Sequence, residues 1–85
     1  MNHFARSDGF GGTIIEYQLE RPGNSDVTIY TMMGQKVVNL HRGYQLAGKH
    51  QKTFVNKAFG FSALPLIYKI EANGKVYSGK FIAHN

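Results

Sequence analysis

Apolar residues in this chain recur at every second position, in short runs set apart by glycine. That period belongs to the two faces of a strand and not to the 3.6-residue turn of a helix. In residues 13–19, Ile15, Tyr17 and Leu19 share one face, and Ile14, Glu16 and Gln18 share the other. Val27 and Ile29 point inward from residues 26–32, and Val38 and Leu40 share a face in 35–41. Residues 49–55 make a further strand. Leu66, Tyr68 and Ile70 line one face of 66–72, and 75–82 carries Val76, Tyr77, Phe81 and Ile82. The pattern predicts six strands, with a seventh possible near the start. No helical period runs over a useful length.

The breaks carry turn chemistry. Arg21-Pro22-Gly23-Asn24 reads as a turn in which Pro22 presets φ and Gly23 takes a positive φ. Met33-Gly34-Gln35 reads as a tight turn with positive φ at Gly34. Residues 42–48 read as a longer loop flanked by Gly43 and Gly48. Asn73-Gly74 is the strongest hairpin signal, because both residues accept positive φ. Residues 1–12 hold three glycines without a period and read as a flexible leading segment or tail, which leaves 13–85 as the domain. Residues 56–65 are the least patterned, and Ala58-Phe59-Gly60-Phe61 is expected to pack across an end of the core. Two facing antiparallel sheets would bury the alternating faces on each other, as would a small barrel.

With 85 residues there is room for one small domain. The absence of cysteine excludes disulfides, cysteine metal sites and a thiol nucleophile. No run of ~18 apolar residues is present to span a membrane, and no export-signal pattern opens the sequence. The net charge is +5. Its ten basic residues are spread over every strand and turn, which fits a solvated coat better than a nucleic-acid footprint. A nucleic-acid sheet would interleave aromatics with Lys or Arg on one exposed face, and Tyr77 near Lys69 is only a trace of that.

Catalysis needs converging groups. Asp8, Glu16, Glu20, Asp26 and Glu71 form no acid/base spacing. Ser7, Ser25, Ser62 and Ser78 lie in no nucleophile elbow. His3, His41, His50 and His84 show no paired metal spacing, although His41 and His50 flank one loop. Gly9-Phe10-Gly11-Gly12 lacks the Lys-Ser or Lys-Thr of a phosphate loop. The residues point to no enzyme, no cofactor and no metal. A glycan module would need exposed aromatic platforms; Tyr17, Tyr30, Tyr44, Tyr68 and Tyr77 are available, and Tyr44, in the loop, is the best exposed.

The order of elements resembles a known family. The segments that carry it are Ile14-Ile15-Glu16-Tyr17-Gln18-Leu19, Gly23, Val27-Thr28-Ile29-Tyr30 and Met33-Gly34-Gln35-Lys36-Val37. They continue through Leu40, Gly43, Ala47-Gly48-Lys49-His50, Tyr68-Lys69-Ile70-Glu71-Ala72-Asn73-Gly74 and Lys80-Phe81-Ile82. Together they resemble the C-terminal (type A) sorting domain of the type IX secretion system over residues 13–82. Three places depart from the family pattern. Gly11-Gly12-Thr13 stands where an Asn-Pro opening is common, Pro65-Leu66-Ile67-Tyr68 replaces Ser-Gly-Val-Tyr, and Ala83-His84-Asn85 replaces a basic tail.

The resemblance implies an Ig-like antiparallel β-sandwich of six to seven strands at the end of a larger secreted or cell-surface bacterial protein. That protein would carry its own signal peptide upstream and pass through the periplasm. The implied partners are the outer-membrane secretion machinery and a surface transpeptidase-like enzyme. Gln35, Lys36, His50, Lys69, Lys80 and Phe81 are the exposed residues the resemblance leaves for recognition. Gly23, Gly34, Gly48, Asn73 and Gly74 are explained as turns. The rival readings are a module for an acidic or cell-wall glycan, with Tyr44 as contact, and a ligand-free Ig-like structural or assembly domain.

Overall fold

A computed structural model describes residues 1–55 and 64–83. The chain runs through β1 (His3–Ser7), β2 (Gly12–Leu19), β3 (Gly23–Thr31), β4 (Lys36–Gln45), β5 (Gly48–Val55), β6 (Leu64–Ala72) and β7 (Lys75–Ala83). No described residue is helical. All pairing is antiparallel, in a three-stranded sheet β1-β2-β5 and a four-stranded sheet β4-β3-β6-β7. Two sheets face each other, so the closure is a sandwich and not a barrel. The division is Ig-like; relative to the constant-type arrangement, the fourth strand has moved from the first sheet to the edge of the second.

The predicted faces meet in the core. Ile15, Tyr17 and Leu19 come from β2, and Val27 and Ile29 from β3. Phe54 comes from β5, Leu66, Tyr68, Ile70 and Ala72 from β6, and Phe81 and Ala83 from β7. Val37, Val38 and Leu40 of β4 pack partly against them. β4 slips register twice against β3, between Val27/Thr28 and between Ile29/Tyr30. Such bulges bend and twist an edge strand.

The leading segment is a correction to the sequence reading. His3–Ser7 forms β1 and pairs with β2 from His3↔Tyr17 to Ser7↔Thr13. The turn between them is built on Asp8, whose Oδ1 accepts from the Phe10 and Gly12 amides at 2.7 and 3.0 Å. Gly9 and Gly11 supply positive φ. This is a longer turn than Asn73-Gly74: the Asp8 amide also donates to the Gly12 carbonyl at 3.1 Å, and residues 9–11 form the loop.

The loop predicted at 42–48 is likewise shorter, because β4 runs on to Gln45 and only residues 46 and 47 link it to β5. Gly34 (φ 88°), Gly48 (φ 120°), Asn73 (φ 53°) and Gly74 (φ 78°) adopt the backbone the turns predicted. Gly23 does not take positive φ. It opens β3, where the Asn73 amide oxygen occupies the space a Cβ would take. The Ala58–Phe61 prediction lies outside the described residues.

Gly79 shows the same logic inside the core. It sits directly across from Tyr68, and a Cβ at this position would collide with the Tyr68 ring. An aromatic ring laid over a cross-strand glycine fills the space the glycine leaves. Gly→Ala within a strand ordinarily stabilises by reducing backbone freedom. Here the sign reverses: Gly79→Ala is expected to cost about 1–3 kcal/mol through overpacking. The melting temperature should then fall ~4–8 °C for each kcal/mol lost. Thermal unfolding followed by circular dichroism checks this, and an equal or higher midpoint refutes it.

Candidate functional site

The outer face of the four-stranded sheet follows from the inner one. Because Leu66, Tyr68 and Ile70 turn inward from β6, Ile67, Lys69 and Glu71 turn outward. Because Phe81 and Ala83 turn inward from β7, Lys80 and Ile82 turn outward. Register then assembles a row. Lys36 pairs with Tyr30, Tyr30 with Ile67, and Ile67 with Lys80. At ~4.8 Å per strand the row places the Lys36 and Lys80 backbones about 14 Å apart. Lys69 lies one row away, between Thr28 and Ser78. Its Nζ reaches back over the Tyr30 ring, 5.7 Å from the centroid.

The next row holds Arg42, Asp26, Glu71 and Val76. Asp26 is saturated. Its Oδ1 accepts from Thr28 Oγ1 at 2.6 Å and Asn39 Nδ2 at 3.1 Å, and its Oδ2 accepts from Arg42 Nε at 2.8 Å. Asn39 also donates to the Val27 and His41 carbonyls and to Thr28 Oγ1. Burial alone would raise the Asp26 pKa. The hydrogen bonds from Thr28 and Arg42 and the charges of Arg42 and Lys36 outweigh it and hold the carboxyl below its ordinary value. Arg42 is held above its own, first by the Asp26 hydrogen bond. Among the described residues the ion pairs are Arg42–Asp26 and Arg6–Glu16. Lys36, Lys69 and Lys80 form no ion pair among the described residues. The face has one half in which Arg42 is matched by Asp26 and Glu71 adds a further carboxylate, and a cationic half.

Four of the six residues singled out for recognition sit on or beside that cationic half. They are Lys36, Lys69, Lys80 and Gln35, which is exposed in the turn before Lys36. The Gln35 amide donates to Thr31 Oγ1, and its carbonyl accepts from the Thr31 amide at 2.8 Å. The other two lie elsewhere. His50 is on β5, in the opposite sheet. Its ring stacks on Tyr17 at 5.7 Å, and its Nε2 is 2.7 Å from the Leu46 carbonyl, which holds the β4–β5 link.

Phe81 was expected to be exposed and is buried. It packs edge-on against Phe54 and lies tilted beside Tyr68, because its partner Leu66 faces the core. Tyr44 is exposed as expected, at 64%, but on β4 rather than in a loop. Tyr77 turns inward beside His3, so the aromatic that interleaves with the lysines is Tyr30. The sequence offers Tyr30 only as one of five tyrosines, because its contact with Lys69 depends on the pairing of β3 with β6. His41 Nε2 lies 3.3 Å from the Gly43 carbonyl. Among the described residues no three His, Asp or Glu converge as a metal site.

Two polar ties cross the core. Tyr17 Oη donates to Gln45 Oε1 at 2.7 Å, and Ser25 Oγ donates to the same oxygen at 2.6 Å. At the other end His3 Nδ1 and Tyr68 Oη are 2.7 Å apart. Burial raises the pKa of both tyrosines, and in Tyr17 the hydrogen bonds to Gln45 and Ser25 offset part of the rise. Comparison with protein-family models, curated proteins and solved structures returns no match.

Two outcomes are expected. Gln45→Leu strips the acceptor from two buried hydroxyls, and each orphaned group costs about 1–3 kcal/mol. The Tyr17→Phe exchange removes one donor and costs ~0.5–1.5 kcal/mol. Urea unfolding of both single variants and the double should show costs that do not add, since the residues share one bond; strict additivity refutes the tie. In the alkaline range, both tyrosines bind their proton more tightly folded than unfolded. Their contribution is complete below the unfolded value of ~10 and is lost as pH rises through the folded pKa. Absorbance at the tyrosinate band should show two tyrosines ionising only with unfolding.

Proposed function

We propose that this domain is a recognition module acting as the C-terminal sorting domain of a larger secreted or cell-surface protein, read by the outer-membrane type IX machinery. The observation that carries the proposal is the clustering of Lys36, Lys69 and Lys80 on one sheet face. The ordered motif over residues 13–82 carries the resemblance to that family, and β-sheet register brings the three lysines to one face. A rigid sheet fixes lysine positions without ordering any loop, so a partner meets a preformed pattern of charge. Gln35 extends that pattern at the β3–β4 turn.

An anionic glycan is the second reading, favoured by the half-buried Tyr30 ring among three unpaired lysines. Tyr44 would be a separate contact. A ligand-free assembly domain is the third.

Fusion of residues 1–85 behind an exported reporter, in a host with a working type IX system, tests the proposal. The reporter is expected at the cell surface. Lys36→Glu, Lys69→Glu and Lys80→Glu together should leave it in the periplasm. Lys49→Glu, exposed on the other sheet, should not. A wild-type fusion that stays periplasmic overturns the sorting function. Sorting that survives the triple exchange overturns the lysine face. Retention of the wild type on acidic polysaccharide, lost in the triple variant, would transfer the face to the glycan reading.

A further inference from the structure

The four edge strands of the sandwich are unequal. β1 has five residues. β4 is broken by two register shifts. β5 carries Lys52 on the side that alternates with the exposed Gln51 and Thr53 and includes buried Phe54, and an inward-turned charge blunts an edge. β7 has none of these devices. Its nine residues pair with β6 in unbroken register from Leu64↔Ala83 to Ala72↔Lys75, without proline.

The Asn73-Gly74 hairpin decides which groups of β7 are free. A two-residue turn makes Ala72↔Lys75 a hydrogen-bonded pair, and bonded pairs then alternate. Residues 75, 77, 79, 81 and 83 therefore bond to β6. The amides and carbonyls of Val76, Ser78, Lys80 and Ile82 point away from it, along an edge that no described strand pairs with. The side chains of these four residues are exposed, Val76 at 54% and Ile82 at 44%.

A groove continues from this edge. It measures about 350 Å³, and its walls come from β7 (Lys80, Phe81, Ile82) and from β1 and the start of β2 (Ala5, Arg6, Thr13). Its floor is apolar at Ala5 and Phe81. Among the described residues its charged groups are Lys80 and Arg6, the latter also 3.9 Å from the Glu16 carboxylate. Lys75 adds a third cation at the far end of β7.

We propose that the β7 edge is a strand-addition site for an extended peptide bearing acidic side chains at alternate positions. The peptide backbone bonds to the free groups of Val76, Ser78, Lys80 and Ile82, which makes it the fifth strand of the larger sheet. Its acidic side chains meet Lys80 and Arg6, while small apolar ones enter the groove over Phe81. A second copy of the chain is the poorer occupant, since two β7 edges would bring two domains of charge +5 together. The site goes beyond the sorting role and does not depend on it.

The probe is a soluble seven-residue peptide of alternating glutamate and valine, with its lysine-for-glutamate counterpart as control. Titrated into the ¹⁵N-labelled chain at low salt, the acidic peptide should bind saturably and slow amide exchange at residues 76, 78, 80 and 82. The lysine peptide should bind at least tenfold more weakly. Ser78→Pro removes an outward amide and leaves the bonds to β6 in place. It should lose at least tenfold in affinity with folded-state spectra retained. Should that variant not fold, Lys80→Glu supplies the same loss through charge. Equal binding of both peptides, shifts confined to the Lys36–Lys69 face, or no binding at millimolar peptide overturns the proposal. So does protection of β7 amides in the free chain that grows with protein concentration, which would make the occupant a second copy.

Discussion

Two tyrosine hydroxyls tie the sheets of this sandwich together. Tyr17 leaves the middle strand of the smaller sheet, crosses the core and donates to Gln45 on β4. Tyr68 leaves an inner strand of the larger sheet, crosses the other way and meets His3 on β1. Each tie joins an inner strand to an edge strand of the opposite layer. Apolar contact between the layers is strong but tolerant of small slides, because it depends on area and not on direction. A buried hydroxyl is not tolerant, since losing its partner costs about 1–3 kcal/mol. The ties therefore fix how one layer sits on the other. Among the described residues no buried side-chain polar atom is left without a partner.

The chemistry of the surface follows from that fixed core. Tyr68 demands space, and Gly79 supplies it. Once Tyr68 and Phe81 are inside, strand alternation leaves Ile67, Lys69 and Lys80 outside with no freedom to choose otherwise. Register with β3 and β4 then sets Tyr30 and Lys36 in line with them. The cationic half of the face is in this sense a projection of the core: its charges occupy the positions alternate to the buried residues. A one-residue slip of β7 would carry Lys80 into the interior and Phe81 into water, and the same packing that holds the core opposes it.

Much of this was legible residue by residue. Alternation in 13–19 and 66–72 grouped Ile15, Tyr17 and Leu19 of β2 and Leu66, Tyr68 and Ile70 of β6, all of them buried, because a half-buried strand writes its burial into a period of two. Gly34, Asn73 and Gly74 announced their turns through positive φ. What escaped depended on distance in the sequence. His3 bonds a residue 65 positions away, and neither partner looks unusual alone. Gly23 and Gly79 looked like turn or strand glycines, whereas each yields space to a side chain from elsewhere. Phe81 was misplaced because β7 places apolar residues on both faces, Val76 and Ile82 outside and Phe81 inside, so period alone did not orient it. Asp8-Gly9 was legible and was masked by the glycines around it.

The net charge of +5 takes its meaning from pairing rather than from count. Arg42 pairs with Asp26, which also accepts from Thr28 and Asn39 and feels the charge of Lys36, so the positive charge of Arg42 is cancelled in that half of the face, where Glu71 adds a carboxylate. Arg6 leans on Glu16 at 3.9 Å, an exposed pair of small worth. On the larger sheet the cations outside these pairs are Lys36, Lys69 and Lys80 on the face, with Lys75 and Lys80 along the β7 edge. Lys80 belongs to both surfaces. It stands at the end of the Lys36–Tyr30–Ile67 row and at the mouth of the β1–β7 groove. A partner that covers the face and one that extends the edge would compete for its ammonium group, and in a domain this small the two modes of recognition are therefore coupled through a single side chain.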